Sequence, residues 1–320
     1  RAGYAGLGLD GRFQRERQIL ARLNHPRIAR LIDGGSTASG QSWLAMEYVD
    51  GSDLAQWVTT HRPDLRRRIV LFLRVCDAVA FAHRSLIVHR DLKPANVLVD
   101  AHDEPKLLDF GIAKLVEDDT EVQTRTVAAG LTLRYAAPEQ VLGDRTTTAT
   151  DVYALGVVLF ELIARRSPYR AADAAETPWR DAILRGDVHE LGEALDDALL
   201  DTNDARRVAQ ELAPVVRKAM ALSPADRYSG VAAMADDLQD WLDGRPFRSG
   251  IGSISARLGM QLRRWRWPLL TTATALAALA VGGVVALQQA ARAREEAVVA
   301  EANMQGMLDV LGELEVMDYT

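Results

Sequence analysis

The chain has 320 residues, enough for one large two-lobed domain with further segments, and 48% are hydrophobic, which excludes wholesale disorder. A formal net charge of −6 argues against a general nucleic-acid binder. The single cysteine, Cys76, excludes an internal disulfide or a cysteine-built zinc cluster, and its place in the apolar run 69–82 reads as core.

In chain order, Phe13, Ile19, Leu20 and Leu23 favour one face of a helix over 13–23. Asn24-His25-Pro26 ends it, because proline disfavours helix at the residue before it. Residues 28–32 and 42–49 read as two strands about a Gly/Ser turn at 34–40. Gly51-Ser52-Asp53-Leu54 opens a helix with Ser52 or Asp53 as its cap, and 64–82 reads as a long helix. Residues 50–243 are expected to be mostly helical, with short strands around the motifs.

The most informative stretch is His89-Arg90-Asp91-Leu92-Lys93-Pro94-Ala95-Asn96, set between the apolar runs 85–88 and 97–99. A third apolar run, Lys106-Leu107-Leu108, leads into Asp109-Phe110-Gly111. Phosphoryl transfer needs this set of groups: a carboxylate to orient the attacking hydroxyl, an amide and a second carboxylate to hold Mg²⁺, and a lysine to offset charge. Taken singly, each Asp or Asn suits a cap or a turn; the set at this spacing does not reduce to that.

On these motifs the chain resembles the protein kinases, and specifically the bacterial membrane-anchored Ser/Thr kinases. The resemblance covers residues 1 to about 243 and implies an α+β, protein-kinase-like bilobal fold with an incomplete N-lobe and a mainly helical C-lobe. It implies ATP and Mg²⁺ as cofactors and protein Ser/Thr hydroxyls as substrates. Asp91 would accept the substrate hydroxyl's hydrogen bond, Lys93 would contact the γ-phosphate, and Asn96 and Asp109 would ligate Mg²⁺. Thr132, in Thr132-Leu133-Arg134-Tyr135-Ala136-Ala137-Pro138-Glu139, would bridge Asp91 and Lys93. Glu139 would pair with Arg227, and Asp151 would support the catalytic loop. Arg90 would pair with a phosphate on the loop 112–135, where Thr120, Thr124 and Thr126 are the acceptors to choose among. On the nucleotide side Met46 would be the gatekeeper, Glu47 to Val49 the hinge, and Asp53 a neighbour of the ribose. Glu16 would be the glutamate of the N-lobe helix.

The lysine that Glu16 would pair with is missing: no Val-Ala-x-Lys strand precedes Glu16, and the first lysine is Lys93. Gly6-Leu7-Gly8-Leu9-Asp10-Gly11 spells G-x-G-x-x-G, but no strand precedes it and no lysine strand fits before Glu16, so it reads as linker. The natural protein is therefore expected to carry more residues upstream, and 1–320 alone to bind ATP weakly and transfer phosphate poorly. A membrane-bound pseudokinase scaffold is the alternative, and the upstream lysine would separate the two. A small-molecule kinase of the same fold is weaker, since those tend to lack the 132–139 loop.

Residues 244–267 read as a Gly/Ser/Arg juxtamembrane linker. The run 268–287 has no charge and is long enough to cross a bilayer as a single transmembrane helix; a buried globular helix is the alternative. Trp265, Trp267, Arg257, Arg263, Arg264 and Arg266 crowd its N-terminal side, which puts the catalytic domain in the cytoplasm at the inner membrane. Ala278, Gly282 and Ala286 recur at every fourth position, a candidate face for a homodimer. Residues 288–320 read as an extracytoplasmic helical segment with Met304, Met307, Leu308 and Leu311 in one stripe.

Overall fold

The computed structural model describes residues 23–37, 42–110, 133–170, 176–194 and 202–251, with residues 272, 274–292, 294, 297–298, 303–304 and 306–307 in a C-terminal helix. Residues 13–22 of the expected helix, with Glu16, and the stretch holding Thr120, Thr124, Thr126 and Thr132 lie outside the described residues. The chain divides into two units, Arg1–Met260 and Gln261–Thr320.

The first unit opens with an antiparallel hairpin, β1 (Leu31–Ser36) and β2 (Ser42–Met46), in register from Asp33 opposite Ala45 to Ser36 opposite Ser42, with a shift before Leu31 opposite Met46. β1 thus runs into the expected turn, while Ile28 makes only an isolated bridge to Leu107. The glycines explain this. A Cβ on Gly35 would sit 3.3 Å from the Trp43 indole across the strand pair, so the bare backbone makes room for the ring.

A second antiparallel sheet joins β3 (Gly51–Asp53), β4 (Val97–Asp100) and β5 (Pro105–Leu107) in that order. A Cβ on Gly51 would lie 2.4 Å from the Val99 carbonyl oxygen, so only glycine admits this approach. Asp53 then caps α1 (Leu54–His61) by accepting from Gln56 N–H, and Asp64 caps α2 (Leu65–Arg84) through Arg67 N–H. Leu65, Ile69, Phe72, Val75, Cys76, Val79 and Ala82 turn one face of α2 into the core at helical spacing. Cys76 is wholly buried, as expected, and burial pushes its thiol pKa up, leaving it inert.

The helical part comprises α3 (Pro138–Leu142), α4 (Thr148–Ala164), α5 (Glu176–Arg185), α6 (Leu191–Ala194), α7 (Thr202–Ala219) and α8 (Val231–Leu242). α4 is buried on nearly every side from Thr150 to Ala164 and packs between neighbours, with α2 and α7 against it. Gly156 permits the close α4–α7 crossing, where a Cβ would meet Ala219 Cβ at 2.9 Å. The buried Arg68 of α2 donates to the Leu162 carbonyl at 2.9 Å, supplying one of the acceptors α4 leaves at its C-terminus. Past α8, Phe247 is buried and Ile251 packs on the same core, so the first unit continues beyond residue 243. In the second unit, Thr274–Arg292 forms a helix of mean hydropathy 1.6 whose apolar window is 0% buried.

Candidate active site

The site is assembled on residues 89–96, between α2 and β4, with Asp151 of α4 bonded to their backbone. His89, 0% exposed, is fixed on both sides: its backbone N–H donates to Asp151 Oδ2 at 2.8 Å, and its Nε2 faces the Leu108 carbonyl oxygen at 2.8 Å. A carbonyl can only accept, so Nε2 carries the proton, and Nδ1 accepts from Asp91 N–H at 3.4 Å. Burial lowers the His89 pKa, outweighing the pull of Asp151, so the ring is a neutral, structural imidazole. The Phe110 ring sits 4.7 Å from it, which ties the Asp109 segment to the Asp91 segment.

Asp151, 1% exposed, also accepts from Arg90 N–H at 2.9 Å and contacts His83 Nε2 at 2.7 Å. Gln140 on α3 donates to the Arg90 carbonyl at 2.9 Å. The loop is therefore gripped from α3 and α4, and His83 of α2 contacts the Asp151 carboxylate that does the holding. That grip holds Arg90 at φ 68°, a strained value for a residue with a side chain. Arg90 Nε is buried with no hydrogen-bond partner.

This frame presents the Asp91 carboxylate, whose side chain is 16% exposed. Lys93 Nζ donates to its Oδ2 at 2.7 Å, and Asn96 Nδ2 reaches the same oxygen at 3.2 Å and the Asp91 carbonyl at 2.7 Å. Both Asn96 side-chain bonds use the NH₂ group, so its oxygen is turned to other work. Asn96 sits at the end of a 3₁₀ turn, Pro94–Asn96, and its carbonyl accepts from Leu108 N–H at 2.8 Å. Asp109 thus follows directly on a residue bonded to Asn96. It is exposed and held at φ 41°. Of the sequence-predicted residues, Asp91, Lys93 and Asn96 are brought together by these bonds, and Asp109 follows Leu108, whose N–H is bonded to Asn96.

Met46 ends β2 opposite Leu31, and Glu47 follows it. Glu47 N–H is spent on the Arg30 carbonyl at 2.8 Å, so of its backbone groups the carbonyl is the one left to face a ligand. Its carboxylate pairs with Lys106 on β5 and accepts from Arg30 N–H. The Lys106 bond, with burial opposing, holds the Glu47 pKa below the usual carboxylate range. Val49 is half-buried and Asp53 is engaged as the α1 cap at 2.9 Å. Glu139 and Arg227 pair bidentately at 2.7 and 2.8 Å, with Thr150 Oγ1 donating to the same carboxylate. Beside Pro94, a cavity of about 300 Å³ is lined by Val58, Arg134, Tyr135, Glu161 and Arg165. Glu161 accepts from Tyr135 O–H at 2.7 Å there, and burial raises its pKa.

Motif reading had no hold on His83, Gln140 and Lys106, which bond to Asp151, Arg90 and Glu47. Only the adjacency of Gln140 to Pro138-Glu139 was a signal. Among the described residues no cluster of three or more His, Cys, Asp or Glu is placed to bind a metal. A magnesium ion needs less protein than that, because water and phosphate oxygens fill its octahedron. Hard oxygen from Asn96 and Asp109 fits that donor demand.

A family model described as protein kinase domain matches residues 8–239. The chain is 34% identical over 239 residues to the serine/threonine-protein kinase PknB of Mycobacterium leprae, covering 73% of this chain and 36% of that protein. PknB of Mycolicibacterium smegmatis is 36% identical over 231 residues, covering 71% and 35%. A probable serine/threonine-protein kinase of Streptomyces coelicolor is 32% identical over 253 residues, covering 77% and 36%. The chain thus spans about a third of the length of these relatives.

Proposed function

Because this chain belongs to the protein kinase domain family, we propose that it transfers the γ-phosphoryl group of ATP to serine or threonine hydroxyls of proteins while anchored in a membrane. The observation that carries this reading is the Asp91 carboxylate, pinned by Lys93 and Asn96 yet 16% exposed. A substrate hydroxyl donates its hydrogen bond to Asp91, which orients the oxygen and takes the proton late. Lys93, already beside that carboxylate, sets a positive charge where the phosphoryl group passes. Asn96 and Asp109 would hold magnesium, which when bound neutralises charge on the phosphates. The Glu47 carbonyl and the Val49 backbone would meet the adenine edge, next to Met46.

Arg90 supports a control step. Its unpartnered, buried Nε suits a phosphate on a threonine of the 112–135 loop. Glu16 and Thr132 keep the roles that the resemblance gives them. The helix Thr274–Arg292 supports membrane anchoring, and the arginines ahead of it support a cytoplasmic kinase unit. The protein relatives named above support Ser/Thr rather than small-molecule acceptors.

The test is to incubate the full-length protein with magnesium, labelled ATP and a mixed protein substrate, then identify the labelled amino acids. Phosphoserine and phosphothreonine are expected. Label confined to phosphotyrosine, or to a small molecule, would contradict the reading.

A further inference from the structure

Residues 244–251 lie past the end of the family match at 239 and hold a structure that the transfer reaction does not use. They fold back along α8. Asp237 on that helix is 0% exposed and accepts from Tyr228 O–H at 2.9 Å, from Ser249 N–H at 3.1 Å, and from the Ser249 hydroxyl. These three donors are neutral, so this buried carboxylate depends on hydrogen bonds rather than on a cation. Two of the three come from Ser249.

The rest of the strap is charged and apolar in alternation. Arg245 binds Asp240 and Asp243, each at 2.9 or 2.8 Å. Arg248 reaches Asp236 and Asp240, both at 3.3 Å. Phe247 is buried between them. The amides of Arg245 and Gly250 are bonded to the carbonyls of Asp240 and Phe247. Arg248, Ser249 and Gly250 are nonetheless exposed on their outer sides, so a short local opening presents the serine to another protein.

We propose that Ser249 is a phosphorylation site and that its hydroxyl is the latch of this strap, so that a phosphoryl group on Oγ frees residues 245–251 from α8. The docked arrangement cannot accept the product. The hydroxyl that donated to Asp237 becomes an ester oxygen with no proton, and about two negative charges arrive beside Asp236, Asp237 and Asp240. Arg245 and Arg248 can turn to the phosphate only by leaving Asp240, which is 2% exposed and would then be a buried charge without its cations. Either way the strap lets go, and the modification traps the open form.

The donor is ATP and the enzyme a second copy of this chain, a clause that rests on the function proposed above. Ser249 Oγ forms the new bond to the γ-phosphorus as the bond from that phosphorus to the β-γ bridging oxygen breaks. ADP leaves with the electron pair, and the hydroxyl proton passes to Asp91 of the second copy.

The experiment measures hydrogen exchange of the full-length protein over 245–251 for wild type before and after magnesium-ATP, and for Ser249→Ala and Ser249→Glu, with phosphates mapped by mass spectrometry. Phosphate on Ser249 is expected, with exchange of the Arg245, Ser249 and Gly250 amides about tenfold faster in the phosphorylated protein and in Ser249→Glu. Ser249→Ala, which loses a donor without adding charge, should fall between. Phosphate elsewhere on the chain but never on Ser249 would overturn the proposal, as would wild-type exchange in Ser249→Glu. Absence of phosphate anywhere would overturn the transfer reading and with it the second copy as enzyme, whereas Ser249→Glu reports on the latch without any transfer.

Discussion

At the level of single residues, motif chemistry and backbone geometry were not equally visible in the sequence. Asp91, Lys93 and Asn96 were legible because their partners lie within five residues of one another, so spacing alone encodes the contact. The clamp from Lys106 to Glu47 spans 59 residues, and no local pattern carries it. Leu86 is a third kind of case. It sits at φ 62° where α2 ends, its N–H bonded to the His83 carbonyl and that of Ile87 to the Ala82 carbonyl. This is the left-handed helix stop that glycine suits best. The leucine side chain is 92% exposed, so it gains no burial for its strain. Leu86→Gly should therefore raise stability by up to about 1 kcal/mol, the relief of the left-handed backbone less glycine's entropy cost. Thermal unfolding checks it, and a fall in stability would show that the leucine makes contacts that matter.

At the level of elements, caps were read well and strands less well. Asp53 and Asp64 cap α1 and α2 as their positions before apolar runs suggest. The hairpin was displaced because its glycines look like a turn, whereas Gly35 serves to admit Trp43. The expected pairing of Glu139 with Arg227 joins α3 to the turn after α7, and the two side chains are 8% and 0% exposed. Breaking a buried pair from one side leaves a stranded charge, so Arg227→Met should cost about 3–5 kcal/mol in denaturant unfolding. Replacing Glu139 as well should restore part of that loss; a single variant as stable as wild type would contradict it. Burial alone would raise the Glu139 pKa, but the bonds from Arg227 and Thr150 outweigh it and hold the carboxyl below its ordinary value. A depressed carboxylate stabilises the fold at pH above its unfolded value. That contribution is then lost as pH falls through the folded value. The acid limb of the stability curve should accordingly flatten in the Glu139→Gln variant.

At the level of the whole molecule, the two units pose separate questions. The helix Thr274–Arg292 overlaps the expected span over 274–287 and includes Arg292, whose long side chain can carry its charge to an interface. If this helix spans a bilayer, the full-length protein should stay in the membrane pellet through high salt and alkaline carbonate, and leave it only with detergent. Release by salt alone would point to surface attachment. For the kinase unit, the fold was legible as far as its motifs reached. The docking of 245–251 on α8 was not, since a Gly/Ser/Arg composition reads as linker until Asp237 and Phe247 are seen to hold it.

On the proposed function, Asp91 orients a protein hydroxyl for phosphoryl transfer. The most direct test compares initial rates of ATP-dependent Ser/Thr phosphorylation by the full-length protein and its Asp91→Asn variant, at matched fold and matched ATP binding. The asparagine keeps the shape and the link to Lys93 but cannot take the proton, so the rate should fall by about 10²–10⁴. Equal rates from the two proteins would place the chemistry elsewhere.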